Sequence, residues 1–345
     1  MSVEKKLTRR DFLKVSAMAV VAAAVQACAK ATPTPAPTKP PEPTKPVAVA
    51  PTATPKPAEP TATPKPAAPT ATPVPAKPKY KEAPMLADLV KAGKLPAVED
   101  RLPADVSVLK PLKEIGQYGG TIRNVSTGPG DIPALVGRLC GGGAQLIFFG
   151  TDAATIIPSI ALKWEASADG KVYTFYLRKG HKWSDGKPFT TADVEFVYED
   201  RWGNKELTPA FPSWLTVGGQ PGKFEKLDDY SFRISFASPY GLMMLYMAFN
   251  SAAFVLPKHY MSQFHPKYAK KEDLDKVMAE FKFDKWTSLF ASGANGRNDL
   301  LRNPDCPVLR TWKVVKPLPD WPVVLERNPY YYKVDTEGNQ LPYID

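Results

Sequence analysis

The chain has 345 residues and a formal net charge of +10, with three cysteines and three histidines. Residues 1–80 carry 12 Lys or Arg against four acids, which leaves 33 basic and 31 acidic residues for the rest; the body is nearly neutral and has no nucleic-acid footprint. No histidine stands at ligand spacing from another histidine, a cysteine or an acidic pair, so the spacing predicts no metal centre and no cofactor.

Thr8-Arg9-Arg10-Asp11-Phe12-Leu13-Lys14 has the form of a twin-arginine export signal, with Arg9 and Arg10 as its paired arginines. The apolar run Val15–Val25 that follows would rise only about 16 Å as a helix, short of the ~30 Å hydrocarbon core, so it reads as a signal segment and not a span. Val25-Gln26-Ala27-Cys28 resembles a lipobox. A leader of residues 1–27 is therefore expected, with a lipid on Cys28 holding the mature protein at the outer face of the cytoplasmic membrane or in the periplasm. Residues 28–79 form a Pro/Thr-rich linker with a nine-residue repeat: Pro51-Thr-Ala-Thr-Pro55, Pro60-Thr-Ala-Thr-Pro64 and Pro69-Thr-Ala-Thr-Pro73. So short a period has no apolar face to bury. It predicts a disordered, polyproline-like spacer with an upper reach on the order of 150 Å.

Residues 80–117 are expected as a helical extension, in which Pro84–Gly93 is a short helix closed by a glycine C-cap and ended by Leu95-Pro96. Residues 118–345 form the main body. Tyr118–Arg123 is expected as its first strand. After Gly128-Pro-Gly130, the apolar stretch Ile132–Phe149 is expected as a helix broken at Gly141-Gly-Gly143. Asp169-Gly170 and Asp185-Gly186 are turn signals, and the β-branched and aromatic run Val172–Leu177 between them reads as a strand. Thr190 followed by Asp193 predicts a capping box, with Val194, Val197 and Tyr198 on one helix face. Further on, Tyr230–Phe236 alternates as a half-buried strand, Leu242–Phe249 and Asp273–Phe283 read as helices, and Val323–Asn328 as the last strand.

The segment Pro158–Trp202 carries a resemblance. Ala161-x-x-Trp164, Asp169-Gly170, Tyr173-Thr-Phe-x-Leu-Arg178, Gly180, Trp183-x-Asp185-Gly186-x-Pro188 and Thr191-Ala-Asp193-Val194 stand in the order of the signature of family 5 solute-binding proteins of ABC transporters. Glu326-Arg-Asn-Pro329-Tyr330 resembles that family's strand exit. Lys91-x-Gly93-Lys-Leu95-Pro96, Arg101-Leu-Pro103 and Val334–Asp345 are similar to features of a long-form subgroup. The usual Gly-Thr-Gly-Pro-Tyr turn is absent near Asn303–Val308. The resemblance implies an α/β fold of the type II periplasmic-binding-protein kind with a mixed sheet. It further implies that the chain holds the first lobe only, with the second lobe missing beyond Asp345. The implied partners are a small-molecule solute (oligopeptide or oligosaccharide), ABC permease subunits, and the membrane through the lipid anchor. Two lobes closing about a hinge would bury the solute.

No residue pattern recommends catalysis. Gly141-Gly-Gly143 lacks the Lys-Ser/Thr of a phosphate loop, and no Ser/His/Asp arrangement carries a flanking motif. Cys140 and Cys306 are the thiols left after export, and an oxidising compartment permits a disulfide between them. Phe211 and Trp214 lie in the Pro-flanked loop Thr208–Trp214, and loops carry binding residues more often than regular elements. In the resembled family this loop and the one after the first strand face the cleft, which makes Gly128, Asp131, Phe211 and Trp214 the ligand-contact candidates. The alternative from another class is an exported, tethered enzyme acting on glycans or peptides, which needs a cleft carboxylate pair. A surface adhesion domain is a third reading, and it predicts no solute cleft.

Overall fold

The computed structural model describes residues 79–139, 144–291, 293 and 296–345. The export leader, Cys28, the linker, Cys140 and Gly141–Gly143 lie outside the described residues. Helix α1 (Pro84–Lys91) starts with Pro84, whose missing N–H costs nothing in the first turn. It ends as expected at Gly93, where φ is +66°. Gly93 N donates to Val90 O at 3.0 Å and Lys94 N to Leu89 O at 2.9 Å, the paired bonds of a Schellman cap. The short helix α2 (Val98–Arg101) and strand β1 (Ser107–Leu109) complete the extension.

The expected strand Tyr118–Arg123 is not formed. Gly119 and Gly120 take φ of +109° and +88°, which turns the chain, and no described strand pairs with the residues that follow. Without a ladder partner the backbone has nothing to make it a strand. A short 3-10 turn then leads into helix α3 (Ile132–Leu139). The second half of the apolar stretch is a strand instead of the expected helix. Strand β2 (Ile147–Phe149) pairs antiparallel with β3 (Ile156–Pro158), and Asp152 Oδ1 holds the hairpin turn by accepting from the N–H groups of Ala154 and Thr155. The run Ile147-Phe-Phe149 is too short for a helix and has the β-branched and aromatic content that suits a pleat.

The signature unit folds as read. Strand β4 (Ala161–Ala166) turns at Gly170, φ +65°, into β5 (Val172–Leu177). Tyr173, Phe175 and Leu177 point inward and their neighbours outward, the period-2 pattern of a half-buried strand. Strands β6 (Lys223–Asp228) and β7 (Ser231–Ser235) complete an antiparallel sheet in the order β4-β5-β7-β6. Phe175 and Phe232 are register partners, fully buried, with rings stacked 5.3 Å apart. Against this face packs helix α4 (Thr191–Glu195). Its capping box is present: Thr190 N donates to Asp193 Oδ2 at 2.9 Å, and Thr190 Oγ1 accepts from Ala192 N at 3.3 Å. The helix widens into a π-helical turn over Phe196–Trp202. Val194, Val197 and Tyr198 are buried as expected, and Phe196 with them, because this helix is enclosed on more than one side.

Helices α5 (Met243–Asn250), α6 (Lys258–Met261), α7 (Lys271–Glu280) and α8 (Trp286–Phe290) follow. Strands β8 (Trp312–Lys316) and β9 (Val324–Arg327) form an antiparallel pair, and β10 (Lys333–Asp335) runs parallel to β1. The fold is α/β as expected, with the parallel β1–β10 pair and the antiparallel four-stranded sheet as separate sheets among the described residues. One large aromatic core lies between the β4-β5-β7-β6 sheet and helices α4 to α8. A smaller one joins α3 to the β8–β9 hairpin through Ile132, Val136, Leu301, Val314 and Leu318.

Candidate functional site

The four predicted contact residues fall on two different parts of the core. Phe211 and Trp214 sit half-buried on the rim of the large aromatic core. Phe211 packs edge-on to Tyr198 at 5.2 Å and Trp202 at 6.0 Å; Trp214 meets Trp202 and Phe254, each at 5.9 Å. Each keeps part of its ring at the surface. Gly128 precedes and Asp131 ends the 3-10 turn that leads into α3, next to Ile132 of the smaller core. Asp131 is exposed and accepts a hydrogen bond from Thr127 Oγ1. Gly128 is extended at φ −175°, and an added Cβ would meet nothing within 4 Å, so its conformation does not demand glycine.

A cleft of about 510 Å³ lies beside the second pair. The extended residues Thr121–Asn124 form one wall, the β8–β9 hairpin with Trp312 and Pro322–Leu325 the other, and Ile344 and Asp345 the end. None of the four predicted residues is in its wall. Its lining is largely apolar, with Arg123 and Asp345 as the charged groups, and its volume suits a small ligand or an inserted chain segment.

The ionisable groups that are most perturbed serve the fold. His181 is buried between Phe189 and Tyr332, whose ring centroid is 4.6 Å away. Neither ring nitrogen meets a hydrogen-bond partner among the described residues. Burial, with Arg178 nearby, pushes its pKa down to about 3, so the imidazole is neutral. Asp193 is also buried, and burial raises its pKa against two backbone donors, Thr190 and Lys258. His259 Nε2 lies 2.7 Å from Asp185 Oδ2 at the second signature turn, and His265 is buried under Asp200. No described group of His, Cys, Asp and Glu could hold a metal ion. Cys306 is buried, and burial pushes its thiol up to about 12; its candidate partner Cys140 lies outside the described residues. The atypical loop Asn303–Val308 is tied to the signature turn, with Ser184 N donating to Val308 O and Val308 N to Ser184 Oγ, both at 3.0 Å.

Two buried arginines join segments at opposite ends of the described chain. Arg101 is wholly buried, donates to Glu82, and reaches Gln340 Oε1 at 3.1 Å. Arg327 is buried over the Tyr118 ring at 5.3 Å, with Asp345 Oδ1 4.0 Å from its Nε. Sequence reasoning missed both networks, since the partners are far apart in the chain. It also missed an exposed aromatic row on α5, for which a signal existed: apolar residues at helical spacing within a long uncharged run.

Comparisons with known proteins place this geometry. The family model "Bacterial extracellular solute-binding proteins, family 5 Middle" matches residues 155–345. The periplasmic alpha-galactoside-binding protein of Rhizobium meliloti is 32% identical over 285 residues, covering 77% of this chain and 38% of that protein. Among solved structures, an oligopeptide-binding protein OppA superposes with a TM-score of 0.71 at 42% identity, over 78% of this chain and 41% of the other. The periplasmic binding protein MelB of Agrobacterium fabrum C58, in complex with stachyose, gives 0.59 at 30% identity over 78% and 40%. The chain spans about two-fifths of the length of these relatives. Because the family model covers more than half of its residues, the chain belongs to family 5 of the bacterial extracellular solute-binding proteins.

Proposed function

We propose that this protein is a non-enzymatic, extracytoplasmic solute-binding component of an ABC importer, capturing oligopeptides or oligosaccharides and presenting them to permease subunits. The observation that carries the reading is the family match over residues 155–345, whose relatives are named for binding oligopeptides and alpha-galactosides. The body's near-neutral charge agrees with a solute binder.

In the same reading the twin-arginine leader exports the protein, a lipid on Cys28 anchors it, and residues 28–79 hold the head off the membrane. One acyl chain binds membranes only marginally, so stable anchoring needs the full diacyl modification. Cys28→Ser should therefore move the protein from the membrane to the soluble exported fraction; retention of the variant on membranes would sink the anchor assignment. Arg9-Arg10→Lys-Lys should abolish export. For solute binding the test is a thermal-shift screen of the full chain with oligopeptides and oligosaccharides, followed by product analysis. A ligand-dependent rise in Tm without turnover is expected. Turnover would move the protein to the class of tethered enzymes.

A further inference from the structure

Between Glu206 and Lys223, and again between Arg233 and Lys258, the chain contains no Asp, Glu, Lys, Arg or His. The fold brings these two uncharged runs together. Tyr240 Oη donates to the Trp214 carbonyl oxygen at 2.8 Å, and the Trp214 ring stands edge-on to Phe254. From Tyr240 the chain enters α5. Leu242, Leu245, Tyr246 and Phe249 stand there at the i, i+3, i+4, i+7 spacing of a single helix face. That face points to solvent: the four side chains are 53%, 41%, 37% and 64% exposed, while Met243, Met247 and Ala248 on the other side are fully buried. A surface helix normally turns its polar face outward. This one is apolar on both.

The rings continue as a row. Tyr240 and Tyr246 have centroids 6.1 Å apart, and Phe249 meets Phe149 edge-on at 4.7 Å. Its far end is fixed by amides that bond within the fold: Asn250 Nδ2 donates to Tyr246 O, and the buried Gln145 donates Nε2 to Phe249 O. Exposed rings and no ionised side chain in either run set the chemistry of the occupant: uncharged, with an apolar face. A peptide with free termini brings an ammonium and a carboxylate, and each needs a counter-charge once it leaves water. A sugar brings hydroxyls that bond to water and amides, and apolar C–H faces that lie flat on aromatic rings.

We infer that Trp214, Tyr240, Leu242, Tyr246 and Phe249 form a binding wall for a neutral oligosaccharide. The inference rests on the solute-binding reading above and names its ligand class and its residues. It extends the site from the predicted loop onto a helix face that the loop residue Trp214 adjoins.

The test is isothermal titration of the full chain with stachyose and with tetra-alanine, paired with sedimentation of the same samples. Stachyose should bind and tetra-alanine should not. Tyr246→Ala and Phe249→Ala should each weaken stachyose by about tenfold, and Phe249→Tyr, which restores a ring, should recover most of that loss. Both side chains are more than a third exposed, so circular dichroism and Tm should be unchanged in these variants. Binding of tetra-alanine alone would overturn the sugar class while leaving the solute-binding reading standing. Stachyose affinity indifferent to both alanines would overturn the wall. A self-association lost in Phe249→Ala without any change in sugar affinity would make the face an interface between copies, and overturn the proposal. Failure to bind either solute would count against the solute-binding reading itself.

Discussion

The sheet unit from Ala161 to Ser235 and the wrap made by residues 79–125 with 310–345 hold together in opposite ways. In the sheet unit, hairpin partners are near in sequence, and the core is hydrocarbon and aromatic: Phe175 on Phe232, Phe224 on Phe232, Tyr198 on Phe224. In the wrap, the contacts between its two segments join residues more than 200 positions apart. Lys81 bridges Asn339, β1 pairs with β10, Gly119 N donates to Tyr343 O, and Arg101 reaches Gln340. There the apolar clusters are small, Tyr80 with Val98, Leu102 and Val334, and Ala83 with Leu86 and Leu95, and a buried polar network is added to them. Burial of rings is forgiving of small shifts in geometry, whereas a buried guanidinium needs its acceptors in place. The two regions should therefore fail differently.

The largest effect is expected in the sheet. Phe232→Ala removes a fully buried ring stacked on both Phe175 and Phe224 and should cost about 3–5 kcal/mol in urea unfolding. A loss below about 1 kcal/mol would mean that the aromatic core is not where the unit's stability lies. Arg101→Ala comes next, at about 3 kcal/mol, because it strips Glu82 and Gln340 of their donor. Hydrogen exchange should then speed up over residues 80–104 and 333–341 while β5 and β7 stay protected. Equal loss of protection in the sheet would show one cooperative unit and dissolve the comparison.

His181 joins the two regions, lying against Phe189 of the signature unit and Tyr332 of the wrap. Its folded pKa of about 3 is below the ordinary 6.5, so the unfolded chain takes up the proton first. This contribution is complete above pH 6.5 and is lost as pH falls toward 3, by up to about 1.4 kcal/mol per pH unit. Between pH 7.5 and 5.0 that amounts to about 2 kcal/mol, and His181→Phe should flatten the dependence. A wild-type stability that is flat across this window would place His181 in water. The smallest effect is that of the helix start: Thr190→Ala should cost about 1 kcal/mol by removing a bond to the Ala192 N–H. Circular dichroism at increasing temperature measures it, and an unchanged Tm would mean that Asp193 alone suffices as the cap.

Local grammar read well wherever the partners of a residue lie a few positions away. Gly93, Gly170 and Gly186 sit at positive φ where turns or caps were expected, and the Thr190–Asp193 box is formed. The same reasoning failed at Ile147–Phe149, where an apolar triplet is compatible with helix or strand until a partner at Ile156–Pro158 decides it. It failed again at Tyr118–Arg123, where strand propensity is present and no described ladder meets it. Of the candidate site, Phe211 and Trp214 do lie at a half-exposed aromatic rim, and Gly128 and Asp131 lie next to a different core.

By itself, then, the sequence determined the family, the order of the signature elements and the neutrality of the folded body, since each of these is written in short-range spacing or in composition. Tertiary structure alone decided which distant segments meet: that Arg101 lies under Gln340, that Trp214 abuts Tyr240, and that the face Leu242–Phe249 turns outward instead of into the core. The physical reason is that helical periodicity names two faces of α5, both apolar, and carries no information on which one the rest of the chain will cover.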